Sequence, residues 1–119
     1  MRTSDFILIA SLFLVALADA ALTYAIITSG VGYEANPAWS AFNYRPELIW
    51  TAGLPMDGVA VILIAALMAF AYMSRLQAAV KIVRYAALVM AASRGVVVLN
   101  NAAVLFLHVN LIPINLLFS

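Results

Sequence analysis

The fold is decided by the stretch from Phe6 to Ser29, which reads FILIASLFLVALADAALTYAIITS. A helix needs about 20 predominantly apolar residues to cross the hydrocarbon core of a bilayer, and this stretch exceeds that length. Its one acidic residue is Asp19. Two further stretches, at about 46–72 and 79–107, have the same apolar character. The pattern therefore predicts three transmembrane helices, with the first at about 6–29.

The composition of the whole chain agrees with this prediction. The chain has 119 residues, of which 67% are hydrophobic and 9% are charged. A soluble domain would need far more polar surface, whereas lipid tails solvate an apolar exterior. The net charge of +1 argues against a nucleic-acid partner, and the lack of cysteine excludes thiolate metal sites and cysteine nucleophiles. We predict an all-α integral membrane bundle that forms a single domain over residues 1–119.

The basic residues indicate how the helices cross the membrane. Arg75, Lys81 and Arg84 cluster around the connection between the second and third predicted spans, and Arg2 lies near the N-terminus. Because cytoplasmic loops carry an excess of lysine and arginine, we expect a cytoplasmic N-terminus and an outer C-terminus in the cell membrane. A fourth crossing would require the third segment to be split near Asn101.

The connection between the first two spans should lie on the outer side. Asn36 followed by Pro37 is typical of a helix N-cap with proline at the first helical position. We therefore predict a short interfacial helix over residues 38–43, with Glu34 just ahead of it. Aromatic rings that suit a headgroup boundary collect in the same region: Tyr33, Trp39, Tyr44 and Trp50. The connection is either a plain capped loop or a functional mouth.

Three charged side chains fall near the middle of the three predicted spans. At 1.5 Å of rise per residue, Asp19 and Asp57 lie roughly 16 Å and 15 Å below the outer ends of their helices. Arg94 lies about 18 Å from the inner end of the third helix. An ionised side chain at the bilayer centre costs about 2.5–3.5 kcal/mol on insertion scales, and pairing reduces this cost. We predict an Asp19–Arg94–Asp57 cluster in the bundle interior.

Neighbouring residues should shape this cluster. Pro55 should bend the second helix and free backbone carbonyls. Small residues should let the helix backbones approach closely beside the charges, and they are Gly53, Gly58, Ser93 and Gly95.

Helical spacing extends the cluster into a polar seam that opens toward the outer face. Thr23 lies one turn from Asp19, and Asn101 and His108 follow Arg94 at intervals of seven residues. His108 is a weak candidate for a metal ligand because no second histidine is present to share the ion. We therefore predict no metal site and no cofactor.

Part of this pattern resembles a known family. The residues that carry the resemblance are Asp19, Thr23, Gly30, Glu34, Asn36 and Pro37. They look like a family of small bacterial and archaeal multi-helix membrane proteins that has only a domain-of-unknown-function label. The resemblance covers about the first 40 residues. It implies a multi-helix membrane architecture and a role for these six positions, and it implies no reaction.

Three functions suit a sequence with these features and no diagnostic catalytic motif. We expect a non-catalytic accessory or assembly subunit of a larger membrane complex. Its alanine-rich stretch at 65–71 would pack against other membrane subunits or a second copy. The alternative is a small oligomeric proton- or ion-coupled transporter that uses Asp19 and Asp57. A lipid-modifying enzyme with Glu34 and His108 at the outer mouth is the third possibility.

Overall fold

A computed structural model describes residues 1–33 and 37–107 of the chain. It contains three long α-helices, α1 (Thr3–Ser29), α2 (Leu54–Met73) and α3 (Gln77–Leu107). A widened π turn, Ile49–Gly53, runs directly into α2. No strand occurs in the described part of the chain. All three helical segments are long and apolar enough to cross a membrane, which confirms the expected all-helical chain with three such helices.

The ends of α1 follow from local chemistry. Asp5 accepts a hydrogen bond from the backbone N–H of Arg2 at 3.2 Å, and its own N–H donates to the Arg2 carbonyl at 3.0 Å. At the other end, Gly30 adopts φ 77°, and its N–H donates to the carbonyl of Ile27. This left-handed conformation favours glycine, which explains why the apolar pattern stops being helical here.

The second long helix begins later than the predicted residue 46. Residues 45–48 form a turn in which the N–H of Leu48 donates to the carbonyl of Arg45 at 3.0 Å. The π turn then carries the chain to Leu54, whose N–H donates to the carbonyl of Ile49. It ends just before Pro55, which has no N–H to continue the helical ladder. The irregularity expected at this proline is therefore a widened turn on its N-terminal side.

The connection before this turn is partly helical. A short 3-10 helical segment covers Pro37–Asn43 and is kinked at Trp39. Phe42 from this segment is buried with Ala20 and Ile49. A Cβ atom added at Gly53 would lie 2.8 Å from the ring of Phe42, so a glycine is needed at that contact.

Glycine residues were expected to let the helices pack closely, and only some of them do so. Added Cβ atoms at Gly58 and Gly95 would meet nothing within 4 Å, so these glycines do not mediate close backbone contact in the chain. The prediction was wrong for them because both face away from the neighbouring helices. The helices instead meet in two buried apolar clusters, Leu12–Val61–Ala87 and Met68–Ala71–Val80.

Several predicted features lie outside the described residues. These are Glu34 and Asn36 in the connection, His108 at the end of the polar seam, and the C-terminal tail at 109–119. Pro37 begins the 3-10 segment.

Candidate functional site

Arg94 of α3 lies between two acidic residues from the other helices. Its Nη2 atom donates to Oδ2 of Asp57 in a short hydrogen-bonded ion pair. The same Nη2 atom lies 3.7 Å from Oδ2 of Asp19. The structure therefore brings together the three charged residues that the sequence placed at one depth. Asp57 is the hydrogen-bonded partner of Arg94, and Asp19 lies farther from it.

Asn101 joins α3 to α1 at the same site. Its Nδ2 atom donates to Oδ1 of Asp19 at 2.8 Å and lies 3.4 Å from Oγ1 of Thr23. Asn101 is buried. The amide therefore satisfies the carboxylate of Asp19 on the side that Arg94 does not reach. The polar seam is present from Arg94 to Asn101, and its third expected member, His108, lies beyond the described residues.

The site has one more acidic than basic group, and it is not fully enclosed. With all three groups ionised, two carboxylates face one guanidinium, which leaves a net charge of −1. The exposed fractions of the side chains are 14% for Asp19, 35% for Asp57 and 32% for Arg94. A crevice of about 60 Å³ borders Asp57 and Arg94. This volume is enough for water molecules at the ion pair.

A second polar cluster, at the end of the bundle where α2 passes into α3, was missed by the sequence analysis. Asp5 is 1% exposed and accepts two hydrogen bonds from Arg84, from Nε to Oδ1 at 2.9 Å and from Nη2 to Oδ2 at 3.2 Å. The hydroxyl of Tyr72 donates to Oδ2 of Asp5 and accepts a 2.8 Å hydrogen bond from Nη2 of Arg84. One residue from each long helix thus forms a closed, charge-balanced group.

A signal for this second cluster was available in the sequence. Asp5, Tyr72 and Arg84 each lie within about two turns of the helix ends on the side where the basic residues collect. From the sequence, Arg84 is expected only as one of the basic residues that indicate the orientation, and Asp5 has no predicted role. We compared depths only for the charged residues in the middle of the helices. The same comparison also places Asp5, Tyr72 and Arg84 at one level.

Within residues 1–33 and 37–107, no group of three or more histidine, cysteine or acidic residues is placed to hold a metal ion. The chemistry of the mid-helix site is therefore that of carboxylates, a guanidinium, an amide and a hydroxyl. Such groups exchange protons, bind water or small cations, or pair with polar groups of another chain.

Comparison with protein-family models, with curated proteins and with solved structures found no match. The similarity to the family of unknown function therefore depends on the quoted residues alone.

Proposed function

We propose that this chain is an integral protein of the cell membrane, with its N-terminus in the cytoplasm and its C-terminus outside. The three apolar helices support this proposal. Large apolar side chains point away from the bundle and include Phe70, Leu99 and Phe106, which are 68%, 68% and 72% exposed. Lipid tails would solvate these side chains at no cost, whereas water would not.

The orientation is supported by how charged and aromatic residues divide between the two ends of the bundle. Arg75 and Lys81 lie at the α2–α3 connection, and lysine and arginine prefer the cytoplasmic side. Trp39 and Trp50 lie at the opposite end, near the connection from α1 to α2. In this orientation the 3-10 segment Pro37–Asn43 would be the predicted interfacial helix.

Within the membrane, we propose that the chain is a non-catalytic accessory or assembly subunit of a larger complex. The observation that carries this proposal is the exposure of the Arg94–Asp57 pair, about a third of each side chain. Charged groups at membrane depth normally face a bundle interior or a water-filled cavity, because contact with lipid is costly. A helix from another subunit, or from a second copy, would enclose this pair.

The exposed surface of α3 also supports the proposal of a neighbouring subunit. Only four of its 31 residues are buried within the described chain: Val80, Ala87, Asn101 and Ala103. Within the alanine-rich stretch at 65–71, Ala71 is buried in the chain's own core. Ala66 from that stretch stays exposed and remains available for close helix packing.

Purification in mild detergent tests this function. We expect the wild-type chain to elute with a stoichiometric membrane partner, or as a defined oligomer of itself. Asp57→Asn should reduce recovery of that partner at least fivefold, because it removes the charge at the exposed pair. Glu47→Gln, which changes an exposed carboxylate far from the site, is the matched control and should have no effect. A monodisperse single chain that stays folded would contradict the proposal.

A proton- or ion-coupled transporter is the second candidate, favoured by the surplus carboxylate at the site. Two acidic groups share one guanidinium, and a crevice large enough for water reaches the pair. One proton or one cation would balance the charge. This function predicts that Asp19→Asn keeps the fold but abolishes pH-dependent flux in liposomes. The third possibility, a lipid-modifying enzyme, stays a prediction because Glu34 and His108 lie outside the described residues.

A further inference from the structure

A cavity of about 380 Å³ opens at the end of the bundle where α2 passes into α3. Four basic residues from three parts of the chain line it: Arg2 before α1, Arg75 in the α2–α3 connection, and Lys81 and Arg84 on α3. Tyr72 and Gln77 add polar atoms to the wall. The size is within the range of small-ligand sites, about 300–1,000 Å³.

The charges around this cavity are unbalanced. Arg84 is neutralised by its two hydrogen bonds to Asp5. Among the described residues, no carboxylate lies within the 4.0 Å ion-pair distance of Arg2, Arg75 or Lys81. Three positive charges therefore surround one concave site without a counterion from the described chain. Such a site favours an anion with several oxygen atoms, because guanidinium groups bind phosphate oxygens in pairs.

Arg75 occupies a backbone conformation that its side chain does not favour. It has φ 57°, and it is the one non-glycine residue with positive φ in the described chain. It follows Ser74, the residue that caps the C-terminal end of α2, at a position where glycine is usual. Here, the strained position places a guanidinium group on the wall of the basic cavity.

We propose that this cavity binds the phosphate of an anionic phospholipid headgroup. The proposal rests on the membrane insertion proposed above, which would put the cavity at the headgroup level of the cytoplasmic leaflet. Exposed apolar side chains in the same connection support a lipid over a free anion, since Met73 and Leu76, two residues before and one residue after Arg75, are 80% and 61% exposed. Acyl chains would cover these residues while the phosphate occupies the basic cavity. Basic pockets at the cytoplasmic ends of membrane helices suit such headgroups.

Binding of short-chain lipids to the purified full-length protein in neutral detergent tests the proposal. The probes are dioctanoyl phosphatidylglycerol, dioctanoyl phosphatidylcholine and inorganic phosphate, measured by isothermal titration calorimetry. We expect the phosphatidylglycerol to bind at least tenfold more tightly than the zwitterionic lipid or inorganic phosphate. The preference should fall as salt is raised, because the attraction is electrostatic.

Two variants localise the binding. Arg75→Gly removes the guanidinium group but suits the left-handed backbone, so this variant should fold at least as well as the wild type. It should nevertheless weaken phosphatidylglycerol binding at least fivefold, and adding Lys81→Gln should weaken it further. Arg45→Gln removes an exposed arginine at the other end of the bundle and is the matched control, with no expected change.

Each outcome has a distinct meaning. Equal binding of the two lipids, or unchanged binding in the Arg75→Gly variant, would overturn the lipid site. Inorganic phosphate that binds as tightly as phosphatidylglycerol would also overturn it, because the ligand would then be a free anion. Alkaline carbonate extraction of membranes separates these results from failure of membrane insertion. A chain that resists extraction yet shows no lipid preference rejects only the lipid site.

Discussion

The two polar clusters of this bundle use the same types of group and differ in balance and enclosure. At the α2–α3 end, one carboxylate, Asp5, meets one guanidinium, Arg84, and the acidic side chain is 1% exposed. In the middle of the helices, Asp19 and Asp57 share Arg94, and about a third of the Arg94–Asp57 pair is exposed. The first cluster has all the partners that it needs within the chain. The second is partly exposed and has one surplus negative charge, and we propose that a neighbouring subunit binds there.

Both clusters draw residues from all three long helices, so the difference arises from how fully the surrounding side chains cover each cluster. Tyr72 of α2 and the backbone N–H of Arg2 complete the coordination of Asp5 and close the site. At the mid-helix site, a crevice of about 60 Å³ lies beside Asp57 and Arg94, with Leu12 and Ala16 of α1 in its wall. The side chains around it leave about a third of each partner of the Arg94–Asp57 pair exposed.

The largest effect is expected from breaking the closed cluster. Asp5→Asn removes the charge that balances Arg84 and should lower the free energy of unfolding by about 2 kcal/mol, because hydrogen bonds to a charged group contribute about 1.5–3 kcal/mol. Titration with sodium dodecyl sulfate in mixed micelles, followed by circular dichroism, measures this change. Glu47→Gln is the control, because its 3.7 Å pair with Arg45 is exposed and should contribute less than about 0.5 kcal/mol. Equal effects of the two changes would remove the distinction between closed and exposed pairs.

A smaller loss is expected from the open cluster. Arg94→Gln leaves two carboxylates facing each other, and it should cost about 1.5 kcal/mol, since partial exposure screens the charges. The same titration measures it. Adding Asp57→Asn should recover stability, because it removes the repulsion. If Arg94→Gln costs more than Asp5→Asn, the mid-helix cluster is the main structural element and the comparison is reversed.

The smallest effect concerns the hydrogen bond between α1 and α3. Asn101→Ala removes the 2.8 Å contact to Asp19 and should cost about 0.6 kcal/mol, the average for hydrogen bonds between membrane helices. Thr28→Val is the matched control, because the Thr28 hydroxyl bonds to the Tyr24 carbonyl of its own helix. No measurable difference between these variants would show that Asn101 serves a purpose other than helix packing.

The mid-helix cluster could be anticipated because depth is a one-dimensional property. Asp19, Asp57 and Arg94 can be placed along their helices by counting residues, and the cost of unpaired charge in an apolar layer then brings them together. Which carboxylate binds Arg94 more closely depends on the rotation of each helix about its axis. The hydropathy of the chain contains little information on that rotation, since apolar residues surround each helix on all sides.

The glycine residues also show that the sequence does not reveal which face of a helix meets another element. Gly53 lies against the Phe42 ring of the 3-10 segment, whereas a close approach of helix backbones was expected there. Gly58 has the same composition signal and meets nothing. Five residues separate them along the chain, so they lie on different faces, and only packing decides which face meets another element.

By itself, the sequence determined three long apolar helices and a small set of charges at matching depth, because length and burial cost act on each segment separately. Tertiary structure alone decided that Asp5 is enclosed while Asp57 stays partly open, and that Arg75 joins Arg2 and Lys81 around one basic cavity. These outcomes depend on how each helix is rotated about its axis and on which side chains meet at the helix ends. Such geometry is set by the contacts of the whole bundle and by no single segment.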